Sequence, residues 1–300
     1  MEYYALITIA VLMFGGGFAM QDYYRKLRGS NLKISMESAF IGSFAGLIVL
    51  LIVNGFSFKI TTFTFFMALL AALNGIAFTF CAFKALDRIN LSLFSLFSML
   101  GGRVLPFLQG ILFYNEGFSL GKCVCVLFIC LALFCTVEKG EKKNGAIFYL
   151  GIFLSNGISG VLSKLFTSSN LPKTSASEYT NWISVCTMVL SGIIWLILSA
   201  MEKQKEIKGE ITIVKVQKPA LYKSFAVGAI QGAINKVANF LLVIALVHVD
   251  ASVQYPMVTG GTMIVSTLFS YFSSKKPNKK EVLSVGLAFV AMLALFLIPI

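Results

Sequence analysis

The chain is 300 residues long, 57% hydrophobic and only 13% charged, with a mean hydropathy of +0.84. Soluble domains usually carry about a quarter charged residues, so this composition excludes an ordinary water-soluble globule and makes a lipid bilayer the solvent. A formal net charge of +12 would suit nucleic acid, yet Lys and Arg are spread over many connections rather than gathered on one soluble face, and no nucleic-acid partner is expected.

Ten apolar stretches are predicted as membrane-spanning helices: Tyr3–Met20, Ile34–Val53, Thr62–Phe83, Leu91–Tyr114, Leu120–Val137, Ala146–Phe166, Ser177–Leu198, Tyr222–Val247, Ala251–Phe272 and Glu281–Pro299. Each has the ~20 residues needed to cross a ~30 Å hydrocarbon core at ~1.5 Å per residue. The stretches are continuous and lack two-residue alternation, which selects helices over barrel strands. The expected fold class is therefore all-α and polytopic. The longest connection, Ser199 to Leu221, mixes five Lys with three Glu and is expected to be a solvated surface loop.

The odd-numbered connections collect most of the positive charge: Arg25, Lys26, Arg28 and Lys33, then Lys84 and Arg88, then Lys139, Lys142 and Lys143, then the set from Lys203 to Lys223, then Lys275, Lys276, Lys279 and Lys280. The even-numbered ones and the span ends beside them hold only Lys59, Lys122, Lys164 and Lys173. Cytoplasmic loops accumulate Lys and Arg, so the chain is predicted to sit in the cell membrane with both termini outside the cytoplasm. The first span has Glu2 before it and Arg25, Lys26 and Arg28 after it, without a positive leader or a small-residue cleavage pattern, and reads as a retained helix. Cys123, Cys125, Cys130 and Cys135 lie along one span at spacings that cannot chelate a single ion and read as packing residues.

Two halves can be superposed at an offset of 160 positions, which places Ala85, Leu86, Ser92, Gly101 and Leu108 on Ala245, Leu246, Ser252, Gly261 and Leu268. Residues 1–144 and 145–300 are thus expected to be two five-helix repeats. An odd number of crossings per repeat inserts them with opposite polarity, an arrangement common in secondary transporters, with the binding site near the midplane.

The stretch Leu91-Ser92, Leu105-Pro106 and Leu112 to Glu116, together with Ala251-Ser252 and Tyr255-Pro256, resembles the fourth helix of each repeat in the drug/metabolite transporter superfamily, in its ten-helix members built from two EamA-like repeats. The resemblance implies a ten-helix carrier with a central cavity walled by the third, fourth, eighth and ninth spans. Asn115 stands where the family usually has Gly, and Ser274-Lys275 where the second repeat would carry Gly-Glu. Family members also commonly keep both termini in the cytoplasm, opposite to the charge count here.

Polar residues inside the spans fall on single faces when wound at ~100° per residue. In the eighth span Gln231, Asn235 and Asn239 form one row, and Gly228, Gly232 and Lys236 the adjoining one. Glycines four apart allow close helix contact and amides bridge helices, so interhelical glue is one role for this face. Lys236 is too far from either end of its span to snorkel, and a charge at that depth survives by facing a cavity or a partner. It is expected to line a pathway, the competing role being a neutral amine held by Asn235 or Asn239.

Arg103, after Gly101-Gly102, is the second midplane cation; its planar fork suits carboxylate or phosphate, although it could instead bind carbonyls freed by Pro106. Tyr255 and Thr259 in the ninth span, Asn156 in the sixth and Asn74 in the third complete the candidate substrate-binding set. Gly15-Gly16-Gly17 in the first span suits close backbone approach or a hinge.

All thirteen carboxylates lie at span ends or in connections, so the cavity potential should be positive. Lipophilic cations are disfavoured, and a small anionic, zwitterionic or hydroxyl-rich metabolite is the expected substrate. His248 lies at a span boundary without a paired nucleophile or metal-ligand spacing, and neither an enzyme nor a cofactor is expected. The leading expectation is a secondary-active transporter working by alternating access. The alternatives are a flippase for an anionic lipid-linked carrier or a multidrug-type exporter; a homodimer is compatible with each.

Overall fold

The computed structural model describes residues 2–53, 55–114, 146–208, 218–246, 248–249, 251–273 and 276–297, with the isolated positions 124, 127, 128 and 131; several side chains, Arg103 and residues 251–256 among them, lie outside the description. Among the described residues it is all-helical. The helices are α1 (Glu2–Arg28), α2 (Leu32–Val53), α3 (Thr62–Leu86), α4 (Leu91–Tyr114), α5 (Ala146–Ser168), α6 (Ala176–Ile207), α7 (Lys218–Leu246), α8 (Ala251–Tyr271) and α9 (Lys279–Leu297). The expected fifth span, with its four cysteines, falls outside the described residues apart from those isolated positions, which are helical.

Six of the described helices are long and apolar enough to cross a bilayer. Their lipid-facing character shows in side chains such as Leu12, Ile52, Phe66, Leu196 and Phe225, all large, apolar and exposed. Hydrocarbon suits that surface better than water, which penalises exposed apolar area at about 25 cal/mol per Å².

Helix ends follow local chemistry. α1 stops at Gly29, whose φ of +98° is open to glycine and whose N–H donates to the Arg25 carbonyl at 2.7 Å. α6 starts with a capping box, Ser175 and Glu178 each satisfying the other's backbone N–H. Thr61 caps α3 by accepting from the Thr64 N–H at 3.2 Å. Two helices extend beyond the apolar spans. α1 runs on through Arg28 and α6 through Ile207, because Met201 to Ile207 is polar but made of good helix formers. The Ser199–Leu221 connection is correspondingly shorter than the sequence suggests.

Eight helices form a closed ring in which each packs on the next: α4, α5, α3, α6, α2, α7, α1, α8 and back to α4; α9 lies outside, against α8 and α4. Two glycine crossings in this ring correspond residue for residue. Where α4 meets α5, a Cβ on Gly101 would lie 2.7 Å from the Phe153 Cα and one on Gly157 2.6 Å from the Leu105 Cγ. Where α8 meets α1, a Cβ on Gly261 would lie 2.8 Å from the Val11 Cγ1 and one on Gly15 2.9 Å from the Val265 Cβ. Gly101 and Leu105 map to Gly261 and Val265 with an offset of 160 positions, and Val11 and Gly15 to Phe153 and Gly157 with an offset of 142.

The two ends of the ring differ in chemistry. At one end Arg25 pairs with Asp22 and Asp87, Arg28 with Glu37 and Lys33 with Glu202, while Asn90 donates to Glu281. These contacts gather the connections that the sequence identifies as positively charged. At the opposite end the links are mostly neutral. Glu178 accepts from the Ser57 hydroxyl at 2.6 Å, Trp182 donates to the Lys59 carbonyl at 3.0 Å, and His248 stacks on Tyr3 with ring centroids 4.0 Å apart.

Candidate functional site

The middle of the ring is built where α7 meets α2 on one side and α1 on the other. Gly228 and Gly232 face α2, so the expected close approach is present: a Cβ on Gly232 would lie 2.6 Å from the Gly42 carbonyl carbon. One turn further, Lys236 lays its stem over Gly46, where a Cβ would meet its Cγ at 2.7 Å. Gly42 and Gly46, four residues apart on α2, thus provide the surface on which the lysine lies. Lys236 is enclosed by packed helices yet stays partly accessible, and among the described residues its amine has no hydrogen-bond or ion-pair partner.

Asn235, the neighbour of Lys236, faces α1 instead. A Cβ on Gly17 would lie 2.5 Å from its Oδ1, an atom that is buried without a partner. A similar amide contact across the ring, one position out of register with Asn235 at the 160-position offset, behaves differently. Asn74 on α3 donates to the Ser155 carbonyl at 2.7 Å and to the Ser159 hydroxyl at 2.8 Å on α5. Ser159 lies 142 positions after Gly17, so the hydroxyl that partners one amide is replaced by a hydrogen atom at the other. The Asn235 amide is left with unused bonding capacity, which buried polar groups rarely tolerate without a ligand or water.

Further unpaired groups lie on α8, across α1 from Asn235. Thr262 and Ser266 on α8 are fully buried, and their hydroxyls have no partner. Elsewhere in the chain helical hydroxyls bond back to carbonyls four residues earlier, as Thr187, Ser191 and Thr267 do. The Ser266 N–H group lies beside Gly15, on a face of α1 about 200° from the one where Gly17 meets Asn235. On α4 the Gln109 Oε1 is also buried and unpaired. Other unpaired atoms, on Tyr179, Asn181 and Trp195, all belong to α6.

The remaining candidates separate by role. Asn156 donates to the Ser98 carbonyl and lies against Gly102, tying α5 to α4; with Asn74 it is interhelical glue. Asn239 is exposed and donates to the Asn235 carbonyl of its own helix at 2.8 Å. Gln231 is half-buried and Thr259 fully buried. The side chains of Arg103 and Tyr255 lie outside the described residues. Sequence reasoning assigned little to α2 and read Gly15-Gly16-Gly17 of α1 as a close backbone approach or a hinge; which side chains use these glycines becomes visible once Lys236 and Asn235 are seen lying on Gly46 and Gly17.

The fold recurs among solved structures. Twenty-eight solved chains match it. One, a crystal structure of a protein 14% identical in sequence, superposes with a TM-score of 0.58 over 96% of this chain and 95% of its own. At that identity the likeness concerns the fold alone. No protein-family model matches the chain, and no curated protein matches it by sequence.

Proposed function

We propose that this protein is a secondary-active membrane transporter that moves a small polar metabolite through the centre of the helix ring by alternating access. The observation that carries the reading is Lys236, enclosed by packed helices yet partly accessible, its amine unpaired among the described residues; on this reading the side chain borders an internal hollow. A charge at membrane depth is costly and marks a solute or ion pathway by default. Asn235 on α7, and Thr262 and Ser266 on α8, add unpaired hydrogen-bonding groups on the two helices that pack on α1.

The matched glycine crossings support two halves, residues 1–144 and 145–300, inserted with opposite polarity. On this reading the undescribed fifth span completes ten crossings and the drug/metabolite transporter resemblance applies. The charge segregation supports a cell-membrane location with the basic end in the cytoplasm and both termini outside. An amine without a buried acid beside it favours a solute with an anionic or strongly accepting group over a lipophilic cation.

Thermal unfolding of the detergent-solubilised protein against a panel of small carboxylates, phosphates, zwitterions and polyols tests this. At least one polar class should stabilise the wild type, and Lys236→Met should lose that response to anions. A panel that stabilises neither protein, or anion stabilisation unchanged in the variant, would remove the basis of the proposal.

A further inference from the structure

Among the described residues, helices that are not neighbours in the ring touch most where α2 meets α3, on either side of α6, and where α1 crosses the interior near the basic end. α1 packs on α3, the helix directly opposite it in the ring, and on α4. Three contacts make the bridge. Phe18 meets Phe94 edge-on with centroids 5.1 Å apart, Tyr24 meets Phe83 at 6.0 Å, and the Arg25 guanidinium reaches Asp87 at 2.8 Å. All lie in the half of α1 nearest the basic end. Tyr24 is fully buried, donates to Glu37 at 2.9 Å and closes against Gly228 of α7. Glu37 is itself held by Arg28 at 2.6 Å, and Lys26 ties Asp22 to Ser273 beyond the end of α8.

The matching contacts in the other half would be α5 on α7 and on α8, at the opposite end. Among the described residues no packing of comparable extent joins those helices. The links at that end, Glu178 to Ser57 and Tyr3 to His248, connect elements that are already neighbours around the ring. Asn239, on the part of α7 nearest that end, is exposed, whereas Ser92, Ser95 and Ser98 on the basic-end half of α4 are buried to 1% or less.

We propose that the structure is one of two access states, sealed at the basic end by α1 against α3 and α4 and open at the other. The Arg25–Asp87 pair is the latch across the ring. This rests on the transporter reading, since a static pore would need no seal. A half-exposed Asp87 beside a buried Arg25 suits a latch, because Arg25 keeps Asp22 as a partner when Asp87 departs.

The test reads access rather than transport. In full-length protein without its six cysteines, reconstituted in nanodiscs, Ser95→Cys and Asn239→Cys are each exposed to a charged, membrane-impermeant methanethiosulfonate, with and without Asp87→Ala. With the latch intact, Asn239→Cys should react and Ser95→Cys should be protected. Adding Asp87→Ala should speed labelling of Ser95→Cys several-fold and slow that of Asn239→Cys. Opposite changes identify a switch between states; an increase at both sites would mean loosened packing and would overturn the proposal. So would an unreactive Asn239→Cys, or a Ser95→Cys that labels equally with and without Asp87. Switching access in a protein that moves no solute would leave the seal standing and remove the transporter reading instead.

Discussion

The crossing of α2 and α7 makes a prediction that distinguishes two glycines in mutual contact. A methyl group on Gly232 would enter the backbone of Gly42, 2.6 Å from its carbonyl carbon, where no side-chain rotation can give way. A methyl on Gly42 would lie 3.6 Å from the Gly232 Cα, an ordinary contact. Overpacking costs roughly 1–3 kcal/mol, with rigid backbone obstacles at the upper end. Alanine returns about 0.8–1 kcal/mol of helix propensity at either site. Gly232→Ala should therefore lose about 2 kcal/mol net, while Gly42→Ala should be neutral or slightly stabilising. Gly16→Ala, with nothing within 4 Å of its Cβ, serves as the open control. Thermal unfolding in one detergent should show Gly232→Ala several degrees below wild type and the other two at or above it. Equal shifts for Gly232→Ala and Gly42→Ala would refute the contact geometry from which the centre of the ring is argued.

Other substitutions probe the polar groups. Gly17→Ser should raise the unfolding temperature, because the flexible Asn235 amide can turn to the new hydroxyl as Asn74 turns to Ser159; interhelical bonds of this kind contribute about 0.6 and up to ~1.7 kcal/mol, and a fall would contradict the correspondence of the two sites. Asn74→Leu should cost about 1 kcal/mol by removing both of its links to α5, measured the same way. Glu37→Leu should cost roughly 3 kcal/mol, since it leaves Arg28 charged and largely desolvated and the buried Tyr24 hydroxyl without its acceptor. By comparison Lys33→Met, which breaks a partly exposed pair with Glu202, should cost at most ~1 kcal/mol in denaturant titration.

Apolar length made the described helices legible in the sequence, and among the described residues the basic connections do gather at one end, Lys139, Lys142 and Lys143 lying outside them. The i, i+4 spacing of Gly228 and Gly232 also marked a close crossing, because periodicity reports which residues share a face. It does not report which helix lies opposite. Asn74 and Asn156 looked equivalent to Asn235 as span amides; their partners Ser159 and Ser98 on other helices are what set them apart. Apolarity likewise marks where a helix leaves lipid rather than where it stops, so the charged ends of α1 and α6 were read short. The bridge of α1 across the ring was hidden for a related reason: Phe18 and Tyr24 look like ordinary span residues until Phe94 and Phe83 are seen facing them.

The central claim is that Lys236 borders a water-filled hollow inside the ring. In cysteine-free protein in nanodiscs, Lys236→Cys should react with an anionic, membrane-impermeant thiol reagent, and a solute that stabilises the wild type should slow that reaction. Reaction only with a lipid-soluble maleimide would place the side chain against hydrocarbon and contradict the account.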